Sequence, residues 1–209
     1  MSRQRVPRAL VWDAPVRVFH WLTVLSFAGA WLTADSERWR LLHVTLGYTL
    51  GGLIGFRLVW GVYGTTHARF ASFVRRPAAV LGYVRSLLQG RPEHYLGHNP
   101  AGALAIVLLL AAGLALVLSG YAAYNELAGE WVASLHHQIA NGMLALVLVH
   151  LAGVVSASLQ HRENLVRAML TGYKPGPEEQ GARSAWWGLA AVILLAVLGF
   201  WWLQWRSAP

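Results

Sequence analysis

Two histidines of one apolar segment, His136 and His150, have the spacing and the setting for metal chemistry. They lie fourteen positions apart, near the two ends of the stretch from Leu135 to His150. In an α-helix this spacing leaves both side chains within roughly 40° of one face and about 21 Å apart along the axis. That distance is most of the depth of a bilayer's hydrocarbon core, where an unpaired polar side chain is costly. His137 points to a different face, and this phase difference is the only argument against it as a substitute for His136.

The composition is that of a membrane protein. The 209 residues are 56% hydrophobic and 12% charged, with eleven tryptophans, which suits one bundle of four or five spanning helices. The absence of cysteine excludes disulfides, thiolate ligands and the covalent attachment of c-type haem. The net charge is +8, and the basic residues lie beside apolar segments. Binding to lipid headgroups and membrane topology therefore explain the positive charge better than binding to nucleic acid does. The first fifteen residues lack the features of a signal peptide, and we expect them to remain on the mature protein.

Five apolar segments predict membrane-spanning helices. They cover residues 18–33, 41–62, 101–121, 131–159 and 185–205. Residues 77–88 have the amphipathic pattern of a short helix that lies on the headgroups. Asn99 and Pro100 are typical of an N-cap and a first helical residue. Pro175 and Pro177 mark a flexible linker before the last segment.

Basic residues are concentrated at one end of these segments. With a cytoplasmic N-terminus, that side collects Arg3, Arg5, Arg8, Arg17, Arg69, Arg75, Arg76, Arg85, Arg91, Arg162, Arg167, Lys174 and Arg183. The other side keeps Arg38, Arg40 and Arg206 beside four acidic residues. The positive-inside rule therefore predicts a cytoplasmic N-terminus, five spans and an outer C-terminus.

This topology sorts four histidines from three helices into two pairs. His20 and His150 lie toward the inner half of the membrane, and His43 and His136 lie toward the outer half. Two stacked pairs of imidazoles fit two haem groups, each with a nitrogen on either face of the ring. A lone intramembrane histidine is more often a structural group or a proton relay, but four histidines at two matching depths favour haem ligation. Zinc fits less well, because pairs about 20 Å apart cannot complete one tetrahedral site.

Neighbouring residues are candidates for holding the same group. Arg17, Arg40 and Arg162 are suited to pair with haem propionates, although each alone is also typical of a topology charge. Gly47 and Gly51 follow His43 at four-residue steps; this stripe indicates either close helix packing or a flat ring against the backbone.

The remaining polar residues of the segments and connectors have simpler interpretations. We expect Arg57 to extend its head group to the interface, with a contact to a substrate or quinone as the alternative. The connector histidines His67, His94, His98 and His161 are expected to be solvated or lipid-facing. We assign no catalytic residue.

Several motifs together resemble one known family. WDAPVRVFHWL, LLHVTLGYTLGGLIGFRLVWGVYGTTHARFASFV, YLGHNPAG and LHHQIANGMLALVLVHLAGVVSASLQHRENLVRAMLTGYK are similar to the bacterial cytochrome b561 / Ni,Fe-hydrogenase cytochrome b subunit family. The resemblance covers residues 11–174 and implies a four-helix, di-haem b electron carrier of the inner membrane. By position it places the haem ligands on His20, His43, His136 and His150. The doublet His136–His137 and the fifth segment depart from the pattern.

These observations predict an all-α membrane protein. Residues 11–174 would form a four-helix bundle that holds two haem b groups, 175–184 a linker, and 185–205 an extra C-terminal transmembrane helix. The expected function is transmembrane electron transfer between the quinone pool and a redox partner protein at the bacterial inner membrane. It stays open whether the chain oxidises or reduces quinone by itself.

Two other functions remain as alternatives. The first is a non-catalytic anchor and electron relay for a hydrogenase or a c-type cytochrome. The second is a transporter that handles protons or haem, against which the absence of interior prolines in the first four segments counts.

Overall fold

A computed structural model describes residues 7–91 and 93–207, and most of this part of the chain is helical. The described elements are β1 (Arg8–Leu10), α1 (Ala14–Thr33), α2 (Arg40–Tyr63), α3 (Phe70–Phe73), α4 (Pro77–Leu88), α5 (Pro100–Tyr124), α6 (Trp131–His161), α7 (Leu165–Thr171), β2 (Tyr173–Pro175) and α8 (Trp187–Arg206). Arg3 and Arg5, which contribute to the predicted charge bias, lie outside the described residues.

Most of the long helices have the length and apolarity of membrane spans. Those that do are Glu37–Tyr63, Pro100–Tyr124, Trp131–His161 and Trp187–Arg206. Helix α1 has 20 residues but is less apolar, since it carries Arg17 and His20. It packs against both α2 and α8, so we treat it as the fifth membrane helix. The expected class, an all-α membrane bundle with an added C-terminal helix, is confirmed.

Capping residues set where the first and third long helices begin. The Asp13 side chain accepts a hydrogen bond from Val16 N at 2.8 Å at the start of α1. The predicted cap of α5 is confirmed, because the Asn99 side chain accepts from Gly102 N at 2.7 Å ahead of Pro100. Each cap satisfies a backbone N–H that the helix itself leaves without a partner.

The bundle consists of two helix pairs with an apolar layer between them. Helix α1 packs on α2, α5 packs on α6, and the contact between α2 and α5 joins the pairs, while α8 covers α1 and α2 from outside. The buried centre is formed by Phe27, Leu50, Ile54, Leu116 and Met143. This arrangement leaves α6 without extensive backbone packing against α1 or α2.

The segment that we expected to be a flexible linker, residues 175–184, is held against the N-terminal strand. Strand β2 pairs antiparallel with β1, a 3-10 turn follows at Glu178–Gln180, and Ala182 N donates to Leu10 O at 2.7 Å. The short helix α4 occupies the predicted range 77–88. A structured segment therefore joins the N-terminal end of α1 to the region that follows α6.

Candidate functional site

The outer pair of histidines lies close together although the two helices that carry it are not packed on each other. The ring centres of His43, on α2, and His136, on α6, are 6.2 Å apart, with ring planes 81° from parallel. A metal ion lies about 2 Å from a coordinating imidazole nitrogen; adding the distance from each nitrogen to its ring centre gives a separation of about 6 Å. The spacing is therefore that of two imidazoles on opposite sides of one metal.

Both rings of this pair are held through the same nitrogen. His43 Nδ1 donates to Ala30 O at 2.9 Å, and His136 Nδ1 donates to Leu116 O at 3.0 Å. Because a carbonyl oxygen only accepts, Nδ1 carries the proton in each neutral ring, and the lone pair is on Nε2. Metal-binding histidines are commonly oriented by such a bond from the other ring nitrogen.

Helix α5 is shaped to receive the His136 ring. Ser119 Oγ lies 3.2 Å from His136 Nδ1, and a Cβ added to Gly120 would come within 2.8 Å of His136 Cε1. A larger residue at position 120 would therefore displace the ring. His137 is exposed, in keeping with the helix phase that separates it from His136.

The inner pair consists of His20 on α1 and His150 on α6. Both side chains are partly buried, and they are close enough for their charges to interact. His20 Nδ1 is enclosed and has no hydrogen-bond partner among the described residues. A buried polar nitrogen without a partner is costly, so the described protein atoms alone leave this ring incompletely satisfied.

The donor set suits a haem better than a bare metal ion. Across residues 7–91 and 93–207, no three or more His, Asp or Glu side chains come together as a metal site. A tetrahedral zinc site would need such a group. A b-type haem supplies four equatorial nitrogens itself and needs only two axial ligands. The residues present therefore fit an iron porphyrin.

An apolar layer lies between the two histidine pairs. Phe27 is seven positions after His20, Leu50 is seven after His43, and Met143 is midway between His136 and His150. Seven positions correspond to about 10 Å along a helix. The layer packs at the centre of the bundle and excludes water from the path between the pairs.

The two candidate glycines of α2 differ in what surrounds them. A Cβ on Gly51 would lie 2.9 Å from Val117 Cγ1, so this glycine permits close packing of α2 on α5. A Cβ on Gly47 would meet nothing within 4 Å. Gly51 thus has the contacts of the helix-packing alternative, and Gly47 borders open space one turn from His43.

The candidate arginines lie in different settings. Arg17 is buried, donates from Nη1 to Leu170 O at 2.6 Å, and lies over the Trp187 ring. Arg40 is exposed and pairs with Glu37 at 3.4 Å, while Arg162 is exposed at the end of α6. Of the three, Arg17 alone is enclosed by protein near an inner histidine.

Two side chains that the hydropathy pattern places at the surface lie against the protein instead, Arg57 fully buried and His98 partly so. Arg57 is only 3% exposed, so the expectation that it extends to the interface is wrong. His98, expected to be solvated or lipid-facing, is wedged between Trp12 and Phe73, with ring centres 4.5 and 4.4 Å away. The hydropathy pattern does not predict where these two side chains lie, because their positions depend on how the connectors fold back over the bundle.

A charged network connects residues near the C-terminal end of α6, the connector before α5 and strand β2. Glu163 accepts hydrogen bonds from His94 Nε2 at 2.7 Å and Lys174 Nζ at 3.1 Å. Lys174, in β2, also donates to Tyr95 O at 3.0 Å. Burial alone would raise the pKa of Glu163, but the hydrogen bond from His94 and the charge of Lys174 bring it below its ordinary value. The network fastens the connector before α5 to the end of α6.

Comparison with known proteins finds one matching family model and several similar proteins. A family model described as prokaryotic cytochrome b561 matches residues 11–172. A probable Ni/Fe-hydrogenase B-type cytochrome subunit of Azotobacter vinelandii is 30% identical, over 78% of this chain and 87% of the relative. Subunits of the same description from Cupriavidus necator (26% identical, 83% and 89% covered) and Escherichia coli K12 (27%, 56% and 60%) are also similar. No solved structure matches the chain.

Proposed function

This chain belongs to the prokaryotic cytochrome b561 family, and we propose that it holds two haem b groups, one toward each side of the membrane. Members of the family are haem b electron-transfer proteins of the membrane. The outer group would be held by His43 and His136, and the inner group by His20 and His150. Haem b supplies reversible one-electron chemistry at its iron. The protein contributes position, ligation and a dry interior.

The observation that carries this proposal is the outer pair. Two imidazoles from separate helices stand 6.2 Å apart, and each is held at Nδ1 by a backbone carbonyl. Purely structural histidines would not need this arrangement, since both rings already have a backbone partner and nothing in the fold requires them to meet. Ligation on both sides also leaves no open axial position, which favours electron transfer over oxygen binding.

The two partners that we propose are a hydrogenase and the quinone pool. Relatives over most of the chain are described as Ni/Fe-hydrogenase cytochrome subunits, which supports a hydrogenase as electron donor. Quinone follows as the membrane-soluble acceptor, and a c-type cytochrome remains the alternative partner. The charge bias supports a bacterial inner-membrane location with a cytoplasmic N-terminus.

A direct experiment separates an independent quinone oxidoreductase from a relay subunit. The purified chain in nanodiscs is mixed with a quinol analogue, and haem reduction is followed in the visible spectrum. Reduction by quinol alone supports a quinone site on this chain. Reduction only after addition of hydrogenase and hydrogen supports the relay subunit, and reduction by neither refutes the proposed partners. The transporter alternative gains no support, because α1, α2, α5 and α6 are unbroken.

A further inference from the structure

Arg57 is a buried cation at the level of the inner histidine pair. It lies fourteen positions after His43 on α2, the same spacing that separates His136 from His150 on α6. In an α-helix this spacing places Arg57 about 21 Å below His43 and within roughly 40° of the same face. Its side chain is therefore directed as the outer ligand is, toward the interior of the bundle at the inner site.

The protein around Arg57 compensates its charge only in part. Nη1 is enclosed and has no hydrogen-bond partner in the described part of the chain, and the guanidinium lies 4.8 Å from the centre of the Phe70 ring. The acidic residue that acts on it is Asp13, which also acts on Arg17. One carboxylate therefore faces two buried arginines.

Asp13 is itself fully occupied by other donors. Oδ1 accepts from Val16 N at 2.8 Å, and Oδ2 accepts from Trp60 Nε1 at 3.0 Å and Thr65 Oγ1 at 2.7 Å. It is 1% exposed, so water does not supplement it. A charge that is only partly paired in such a setting is destabilising unless an anion joins it.

A second polar group without a partner lies in the same aromatic cluster: Arg57 lies over Phe70, whose ring centre is 5.8 Å from that of Phe73, and Phe73 in turn contacts the ring of His98. His98 Nδ1 is enclosed and has no partner among the described residues, and the ring is close enough to Arg57 and His150 for their charges to interact. Burial, followed by the charge of Arg57, lowers the pKa of His98 to about 3. The ring is therefore neutral at physiological pH, and it serves the subsite as a donor in the tautomer that carries its single N–H on Nδ1.

We propose that Arg57 and His98 form a carboxylate-binding subsite at the inner histidine pair. Building on the proposed function, its occupant in the loaded protein is a propionate of the inner haem. A carboxylate accepts two hydrogen bonds from a guanidinium and supplies the missing negative charge. A neutral quinone headgroup would satisfy the donors but leave the charge only partly compensated.

This subsite makes the two haem positions unequal. The outer site has Arg38 and Arg40 nearby in sequence, but both are exposed and screened by solvent. A buried cation favours the reduced, less positive state of a neighbouring iron. Because Arg57 would neutralise a propionate whose negative charge otherwise favours the oxidised iron, the inner haem is expected to be easier to reduce with Arg57 than without it.

The test is a redox titration of the full chain in nanodiscs, loaded with haem that carries ¹³C at its propionate carboxyls. Arg57→Gln is expected to shift one of the two midpoints to lower potential, and Arg57→Lys is expected to restore most of it. Arg85→Gln, an exposed arginine on α4, is the matched control and should leave both midpoints in place. Redox-difference infrared spectra should show a ¹³C-sensitive carboxylate band that moves in Arg57→Gln.

The outcomes separate this subsite from the proposed function. A wild-type chain without haem refutes the proposed function itself. Two haems with unchanged midpoints in Arg57→Gln overturn the subsite alone. A carboxylate band that follows labelled acetate in the buffer, and not labelled haem, assigns the pocket to a free carboxylate and overturns the propionate assignment. If neither Arg57 variant folds, the wild-type protein still decides: propionate carboxylate bands at the frequencies of solvated propionates would overturn the propionate assignment as well.

Discussion

Replacing Gly47 by leucine tests whether the space beside His43 belongs to a flat ligand. Gly47 lies four positions after His43, within about 40° of the same helix face, and a Cβ built there meets nothing within 4 Å. Gly52 is the matched control, since its Cβ also meets nothing within 4 Å. Nine positions from His43 put Gly52 about 180° away, on the opposite face of α2.

On protein contacts alone, neither substitution should destabilise α2. Replacing a helix-interior glycine by a good helix former stabilises by up to about 1 kcal/mol, so the thermal unfolding temperature of the haem-free chain should hold or rise slightly in both variants. A ring that covers Gly47 would overlap with the new side chain, and a packed interior does not yield by several atoms without large cost. Haem content should therefore fall from two per chain toward one in Gly47→Leu and stay at two in Gly52→Leu.

The pyridine haemochrome assay, with protein measured independently, gives this ratio directly. Two haems retained in Gly47→Leu would refute the idea that a ring lies against this backbone. Loss in both variants would show that α2 itself is disturbed, which contradicts the open space at these positions. Gly47→Ala, which adds one carbon, should give an intermediate effect.

Other predictions test the ligands, the charged network around Glu163 and the topology. His136→Ala should lose one haem of two while His137→Ala keeps both, because only the first ring is held beside its partner; the reverse haem counts would reassign the ligand. Glu163→Gln should weaken the contact between the connector at 93–98 and α6 by about 1.5–3 kcal/mol at pH 7, measured by hydrogen exchange, while Lys174→Met is expected to have a comparable effect. The pKa of Glu163 is lowered in the folded state, so the stabilisation by its carboxylate is complete above the ordinary carboxyl pKa of 4.5 and is lost as the pH falls through the lowered pKa. A difference in stability between variant and wild type that persists at acid pH would contradict this. A reporter active only in the periplasm and fused after α8 should be active; activity of a cytoplasmic reporter at that position instead would remove α8 as a span.

The regular parts of this fold follow from the sequence because they depend on local patterns. Length and apolarity located the long helices, and the cap at Asn99 was recognisable because an N-cap and a following proline act within one turn. The register of His136 and His150 was also predictable, since a helix converts spacing into depth and angle.

The parts that failed depend on contacts between distant segments. Arg57 has the sequence signature of an interfacial arginine, and it is buried because Phe70 and the loop around Asp13 fold over it. The pairing of β1 with β2 joins residues more than 160 positions apart through strands of three residues each. Such short strands have no usable periodicity, so this pairing could not be predicted from pattern alone.

Quantifying haem in the purified chain tests the central proposal most directly. Expression with ample haem supply, followed by the pyridine haemochrome assay and electron paramagnetic resonance, should give two b-type haems per chain, both low-spin with two imidazole ligands. A colourless chain, a single haem per chain, or a high-spin signal from an open axial position would contradict the assignment of His20, His43, His136 and His150.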